Sequence, residues 1–335
     1  MNNKFLIVRL GSLGDVVHGI PVAALLKEHY PNSRVDWVVD PRYVDLLELV
    51  TCVDRKIAVD PRHLLRGEGA GLRRTLAELR QMEYDAVIDL QGLIKSAAIA
   101  RYIRGRTTIG FPREHLRETI ARHFYTQRPD PGDATHVIHK NIALLAPLSI
   151  ADRRLLFPIR IPRTPTVEAV VDRFGGYALI NPGAAWPNKR WAPERFGEVA
   201  AGLFDRLGMR SIVLWGPGEQ QLAHAVTAAA RGAADVAPPT TIQDLVGLAH
   251  GAQLMISGDT GPLHIAAAVG TPIVALFGPT SAERNGPWGM YDVVVSRTAQ
   301  CECVYKRTCR RGEPCLQSIG VDEVMDAVTR RMGLH

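Results

Sequence analysis

Short β-branched runs alternating with helix-patterned stretches pass through this 335-residue chain twice over. In the first half "FLIVRL" (5–10), "RVDWVVD" (34–40), "KIAVD" (56–60), "YDAVIDL" (84–90) and "TTIGF" (107–111) read as strands. Most are separated by helical patterns such as "VVHGIPVAALLKEHY" and "GLRRTLAELRQM". Such alternation implies parallel strands with helices on both sheet faces. "FPIRIPRTPTVEAV" then breaks the pattern, rich in Pro and Arg and without an element of its own, which places an interdomain linker at roughly 155–170. The rhythm restarts with "YALINPG" (177–183), "SIVLWGP" (211–217), "QLMISGD" (253–259) and "PIVALFGP" (272–279). The expectation is an α/β protein of two Rossmann-like domains, 1–160 and 161–335, closed by a docking helix in "VDEVMDAVTRRMGL".

Hydrophobic residues at 46% and charged residues at 22% exclude a disordered or collagen-like chain. No stretch approaches the roughly 18 apolar residues of a membrane span, and "KFLIVRL" is too short for a secretory core. The expected location is cytoplasmic. A net charge of +6 calls for an anionic partner, whether nucleotide phosphate, acidic lipid or nucleic acid. Basic stretches here do not interleave aromatics as a single-strand nucleic-acid platform would, so no nucleic-acid partner is expected.

In open parallel sheets ligands sit beyond the carboxyl ends of the strands. "RLGSLGDVVHGIP" follows the first strand, and Asp15 stands there either as a helix cap or as a reactive carboxylate. Its glycine spacing is not G-x-G-x-x-G, which argues against a nicotinamide enzyme. "NPGAAWPNKRW" carries Lys189 and Arg190, fit to meet phosphate unless the loop is merely solvated. Glu219, after the turn "WGPG", is placed to accept from ribose hydroxyls or to complement its own helix dipole. In "SGDTGPLHIAAAVG", Asp259 ends a strand, and amides at Thr260, Gly261 and Leu263 form an anion nest at a helix start. His264 is either a packed core histidine or a donor to a diphosphate.

Two further groups stand out. Between Arg101 and Arg128 seven arginines face two glutamates, a solvated face or an anion-recognition surface. Cys301, Cys303, Cys309 and Cys315 are spaced C-x-C-x5-C-x5-C, which would suit structural zinc or iron, or else a reduced surface loop.

"RLGSLGDVVHGIPVAALLKEHYP", "NPGAAWPNKRWAPERF" and "SGDTGPLHIAAAVGTPIVALFGPTSAERNGPWG" together resemble the signature regions of the ADP-heptose:lipopolysaccharide heptosyltransferase family, within glycosyltransferase family 9. The resemblance spans essentially the whole chain. It implies a GT-B fold, with two Rossmann-like domains facing across a cleft, the N-terminal one for acceptor and the C-terminal one for nucleotide sugar. It further implies an inverting transfer from ADP-heptose that requires no metal. Asp15 becomes the general base, and Lys189, Glu219, Asp259, Thr260, Gly261 and His264 become donor contacts. Arg117 matches an acceptor-contacting arginine, and Arg62 and Arg66 fall where the family has another basic cluster. The implied acceptor is anionic and linked to lipid or protein, reached by peripheral contact with the inner face of the inner membrane. Ala184 and Ala185 depart from the threonine pair of the best-known members, which leaves open a relative with another nucleotide sugar, or with a protein or O-antigen acceptor. A non-catalytic nucleotide-sugar sensor would keep the donor joints without needing Asp15.

Overall fold

Parallel pairing puts the apolar run after Lys4 at the middle of the first sheet. A computed structural model describes residues 3–60, 62, 70–309 and 312–334. The chain forms two units, Met1–Arg160 and Ile161–His335. In the first, β1 (Lys4–Val8), β2 (Arg34–Val39), β3 (Arg55–Ala58), β4 (Ala86–Asp89) and β5 (Thr107–Ile109) pair in parallel in the order β3-β2-β1-β4-β5. Its helices are α1 (Leu13–Val17), α2 (Ile20–His29), α3 (Val44–Leu49), α4 (Ala70–Arg80), α5 (Ile94–Ile103) and α6 (Val137–Ala143) among the described residues. Val8 pairs with Val38 on one side and Asp89 on the other, so β1, β2 and β4 end level. The strand order reverses between β1 and β4, the place where such sheets open a ligand crevice.

The second unit repeats this plan with one strand more. β6 (Tyr177–Asn181), β7 (Arg210–Val213), β8 (Ala234–Val236), β9 (Leu254–Gly258), β10 (Ile273–Phe277) and β11 (Val293–Ser296) run parallel in the order β11-β10-β9-β6-β7-β8. Counted from β6, this is the six-strand order of a dinucleotide-binding fold, with its reversal between β6 and β9. The helices are α7 (Pro165–Phe174), α8 (Pro193–Leu207), α9 (Gln220–Ala229), α10 (Ile242–Gly251), α11 (Gly261–Ala268), α12 (Ala282–Asn285) and α13 (Val321–Met332). α13 docks on its own unit: Val324, Met325, Ala327 and Val328 are buried in one core with Phe196, Val199, Ile256 and Val274. No helix among the described residues is long and apolar enough to cross a membrane.

Three details differ from the sequence reading. The single helix expected over "VVHGIPVAALLKEHY" is two, because Pro21 has no N–H to continue the ladder and instead serves the first turn of α2. Gly19 at the break lies against Trp37, where a Cβ would sit 2.7 Å from the ring. The segment 155–170 is not without structure: Thr164 caps α7 by accepting from the Val167 N–H at 3.2 Å, and Pro165 occupies the first turn. Finally, β8 and β11 are additional strands at the two sheet edges, the first only Ala-Asp-Val and so carrying little strand propensity.

Candidate active site

In the first unit the chain leaves β1 through Arg9 and turns into α1 with Ser12 as its N-cap residue. Asp15 is the third residue of that helix and not its cap. Its Oδ2 accepts from the Ser12 N–H at 2.8 Å and from the Ser12 hydroxyl at 3.0 Å, while Oδ1 pairs with the Arg9 guanidinium. Arg9 is 8% exposed and also donates to the Leu90 carbonyl; Asp15 remains 34% exposed. The carboxylate is thus oriented by Arg9 and Ser12 while about a third of its side chain stays exposed.

Neighbouring strand ends carry the same chemistry. Asp40, after β2, takes the Arg42 fork at 2.9 and 3.0 Å; burial would raise its carboxyl, and Arg42 brings it below the ordinary value. Asp60, after β3, takes the Arg62 fork at 2.8 and 2.7 Å. Tyr43 gathers these groups: burial raises its phenol, which also feels Arg42, Asp40, Asp15 and Arg62. Arg62 is exposed and also reaches Asp40 at 4.0 Å. Arg117 is exposed between the short turns Arg113–His115 and Thr119–Phe124, and Arg66 lies outside the described residues.

Sequence reasoning missed Arg9 and Asp89. A charge inside "FLIVRL" was the available signal for the first, because a buried guanidinium requires a partner. Asp89 ends β4 fully buried; its Oδ2 accepts from Tyr125 at 2.8 Å and Ser96 at 2.9 Å, its Oδ1 from the Gln91 and Gly92 N–H groups at 2.9 and 3.2 Å. Burial still pushes its carboxyl up. The loop so fixed supplies Gln91, whose Oε1 accepts from the Leu10 N–H at 2.8 Å, bracing the β1 exit from the side.

In the second unit, β6 and β9 deliver the residues expected from the sequence to meet a donor. Asn181, at the end of β6, donates to the Gly183 carbonyl at 3.2 Å, to Ser257 at 3.1 Å and to the Thr260 hydroxyl at 3.0 Å. The Thr260 hydroxyl is therefore turned inward and does not cap α11, whose first-turn amides at Gly261 and Leu263 are left without a side-chain cap. Pro262 removes one donor at no cost in that turn. Lys189 reaches Asp259 with Nζ–Oδ2 of 2.6 Å and lies over the Trp186 ring at 4.7 Å. The other Asp259 oxygen meets His264 Nε2 at 3.2 Å. Burial alone would raise the Asp259 carboxyl, yet His264 and Lys189 together hold it well below the usual range. His264 is buried, as a packed core histidine would be, and bonded to the site carboxylate at once.

Glu219 occupies the N-cap position of α9, but its side chain turns away from that helix. It accepts from the Gly216 N–H at 3.2 Å and faces Arg190 at 3.6 Å. Gly183 makes this approach feasible, since a Cβ there would stand 2.0 Å from Glu219 Oε2.

The cysteine segment sits behind the Lys189 loop. Asn188 donates to the Lys306 carbonyl at 2.8 Å and to Cys303 Sγ at 3.7 Å; Gln317 donates to the Arg190 carbonyl at 2.8 Å and accepts from the Ala192 N–H at 3.1 Å. Cys301 and Cys303 adjoin at 3.5 Å, and burial, with Cys315 nearby, raises the Cys301 thiol. Among the described residues no group of three or more His, Cys, Asp or Glu side chains is placed to hold a metal ion. Cys303 Sγ also accepts from Asn188, and Cys301 lies beside both Cys303 and Cys315, so three of the four thiols of the expected cluster adjoin.

Comparison with known proteins agrees with this architecture. The model of glycosyltransferase family 9 (heptosyltransferase) matches residues 72–314. A lipopolysaccharide heptosyltransferase 1 of Pseudomonas aeruginosa is 29% identical over 318 residues, 91% of this chain and 87% of that protein. The E. coli heptosyltransferase WaaC with ADP has a TM-score of 0.80 at 24% identity, covering 98% of this chain and 99% of that one. WaaC with ADP-2-deoxy-2-fluoro heptose has a TM-score of 0.76 at 25% identity, covering 97% and 98%. These likenesses show the GT-B fold class. With the family model matched across most of its length, the chain belongs to glycosyltransferase family 9 and is a glycosyltransferase of the heptosyltransferase family.

Proposed function

We propose that the protein moves heptose from ADP-heptose to a sugar of the lipopolysaccharide inner core, inverting the anomeric centre, with Asp15 as general base and no catalytic metal. The names of the relatives and the ligands of the solved structures support the donor and acceptor classes. The observation that carries the mechanism is the Asp15 carboxylate, oriented by Arg9 and Ser12 yet one-third exposed. Asp15 takes the proton of the acceptor hydroxyl as that oxygen attacks the anomeric carbon. The bond from that carbon to the diphosphate oxygen breaks on the opposite face. Lys189 and the uncapped amides of α11 receive the charge that develops there.

In this reading residues 161–335 hold the donor. Glu219 accepts from the ribose, Thr260 and Gly261 present backbone to the diphosphate, and Asp259 keeps Lys189 in place while its remaining lone pairs meet a sugar hydroxyl. His264 holds Asp259. Residues 1–160 hold the acceptor, with Arg62 and Arg117 for its carboxylates and phosphates, on the cytoplasmic side of the inner membrane. A relative using another nucleotide sugar is the second reading, favoured by Ala184 and Ala185, which offer no hydroxyl beside Lys189.

Sugar transfer by wild type and Asp15→Ala tests the assignment. Turnover is expected to fall about 100-fold or more, with ADP affinity retained. Unchanged turnover sinks the base, and tight nucleotide binding without transfer to any acceptor favours a sensor.

A further inference from the structure

α5 has a clean inner face, with Ala97, Ala100 and Ile103 buried, while Ile94, Lys95, Ala98, Arg101 and Tyr102 are exposed along its outer side. The turn Thr119–Phe124 packs beside it and adds Ile120, which is 60% exposed. The two are joined where Glu118 Oε2 accepts from the Ile94 N–H at 2.7 Å. Among the described residues the ion pairs in this region are Arg106 with Asp85 and His115 with Asp130. Among those residues Lys95, Arg101, Arg104 and Arg113 have no ion-pair partner within 4.0 Å, although the exposed Glu114 adjoins Arg113 in sequence. The Arg80 guanidinium lies over the Tyr102 ring at 5.4 Å, extending the basic surface past the end of the helix.

We propose that this outer face of α5, with the turn at 119–124, docks on an anionic lipid bilayer. Exposed isoleucines have nothing to gain from water, and the cations Lys95, Arg101 and Arg104 along the same helix and its C-cap argue against a simple apolar partner. An acidic headgroup layer over acyl chains satisfies both at once: cations meet headgroups along their own stems, while Ile94 and Ile120 sink below them. Tyr102 has the amphipathic ring suited to that boundary. The proposal deepens the reading above, in which the acceptor is lipid-linked, by naming the surface that meets the lipid.

Sedimentation of the full chain with vesicles of phosphatidylglycerol and phosphatidylethanolamine, against phosphatidylcholine alone, tests it. The vesicles hold no sugar acceptor, so their result stands whether or not transfer is found. Wild type is expected in the pellet only with anionic vesicles and to be released as salt is raised. Ile120→Asp should weaken partitioning about tenfold, and Lys95→Gln and Arg101→Gln about fivefold each. All three should transfer sugar to a water-soluble acceptor at the wild-type rate. Should Ile120→Asp fail to fold, the Lys95 and Arg101 variants carry the comparison. Equal sedimentation with neutral vesicles, none with either, or variants that bind like wild type would overturn the proposal. So would variants that bind vesicles normally but fail on the soluble acceptor, which would assign these residues to the acceptor site.

Discussion

Gly183 and Glu219 show how little room the proposed donor site leaves. A methyl group at Gly183 would overlap the end of the Glu219 side chain, and that end is flexible, so the chain folds but the carboxylate must swing away. Gly183→Ala is accordingly expected to change stability little while weakening ADP binding about tenfold, the worth of a hydrogen bond to a charged group. Calorimetric titration with ADP beside a urea unfolding curve checks both halves. Asp259 makes the opposite kind of prediction. Its folded carboxyl is held low by His264 and Lys189, so its contribution is full above about pH 4, where the unfolded carboxyl is ionised, and is lost as pH falls further. Asp259→Ala should cost about 3 kcal/mol at neutral pH and lose part of the acid-side slope of stability, measured by urea unfolding across pH. The pairing of Lys189 with Asp259 could not be read from the sequence, because the two lie 70 positions apart and meet only when β6 and β9 pair. Each residue alone was legible, because it sat among glycines and prolines at a strand end.

Strand exits are where local sequence and tertiary structure divide the task. "YDAVIDL" reads as a strand from its apolar run, yet nothing in it says that Asp89 ties together two backbone N–H groups, Ser96 and Tyr125. Removing that carboxylate strands several buried donors at once, and Asp89→Ala is expected to cost about 3 kcal/mol. Urea unfolding measures it, and a cost under about 1 kcal/mol would show that water replaces the network. The break between α1 and α2 was legible in principle at Pro21, whereas β8 was not: three residues of ordinary propensity become a strand only because β7 lies alongside. Asp15 illustrates both sides. Its place at a helix start followed from the turn residues, but its position as third helical residue, reaching back to Ser12, depended on which residue took the cap.

Each unit of the whole molecule has its own sheet and its own buried core, and Lys189, Glu219, Asp259, Thr260, Gly261 and His264 all belong to the second. Residues 161–335 produced alone are therefore expected to fold cooperatively and to bind ADP within about tenfold of the full chain. Fluorescence or calorimetric titration decides it, and an unfolded or non-binding fragment would show that the first unit completes the second. The twofold strand and helix rhythm sufficed for this architecture, because parallel pairing leaves few alternatives.

The strap formed by Asn188, Cys303, Lys306 and Gln317 behind the Lys189 loop bears on how such an enzyme diversifies. An insertion or deletion between Cys303 and Cys315 would shift the ammonium group proposed to meet the leaving diphosphate while leaving every side chain of the proposed donor site unaltered. In the proposed reading, preference among nucleotide sugars can then drift along a lineage through a stretch outside the donor contacts themselves.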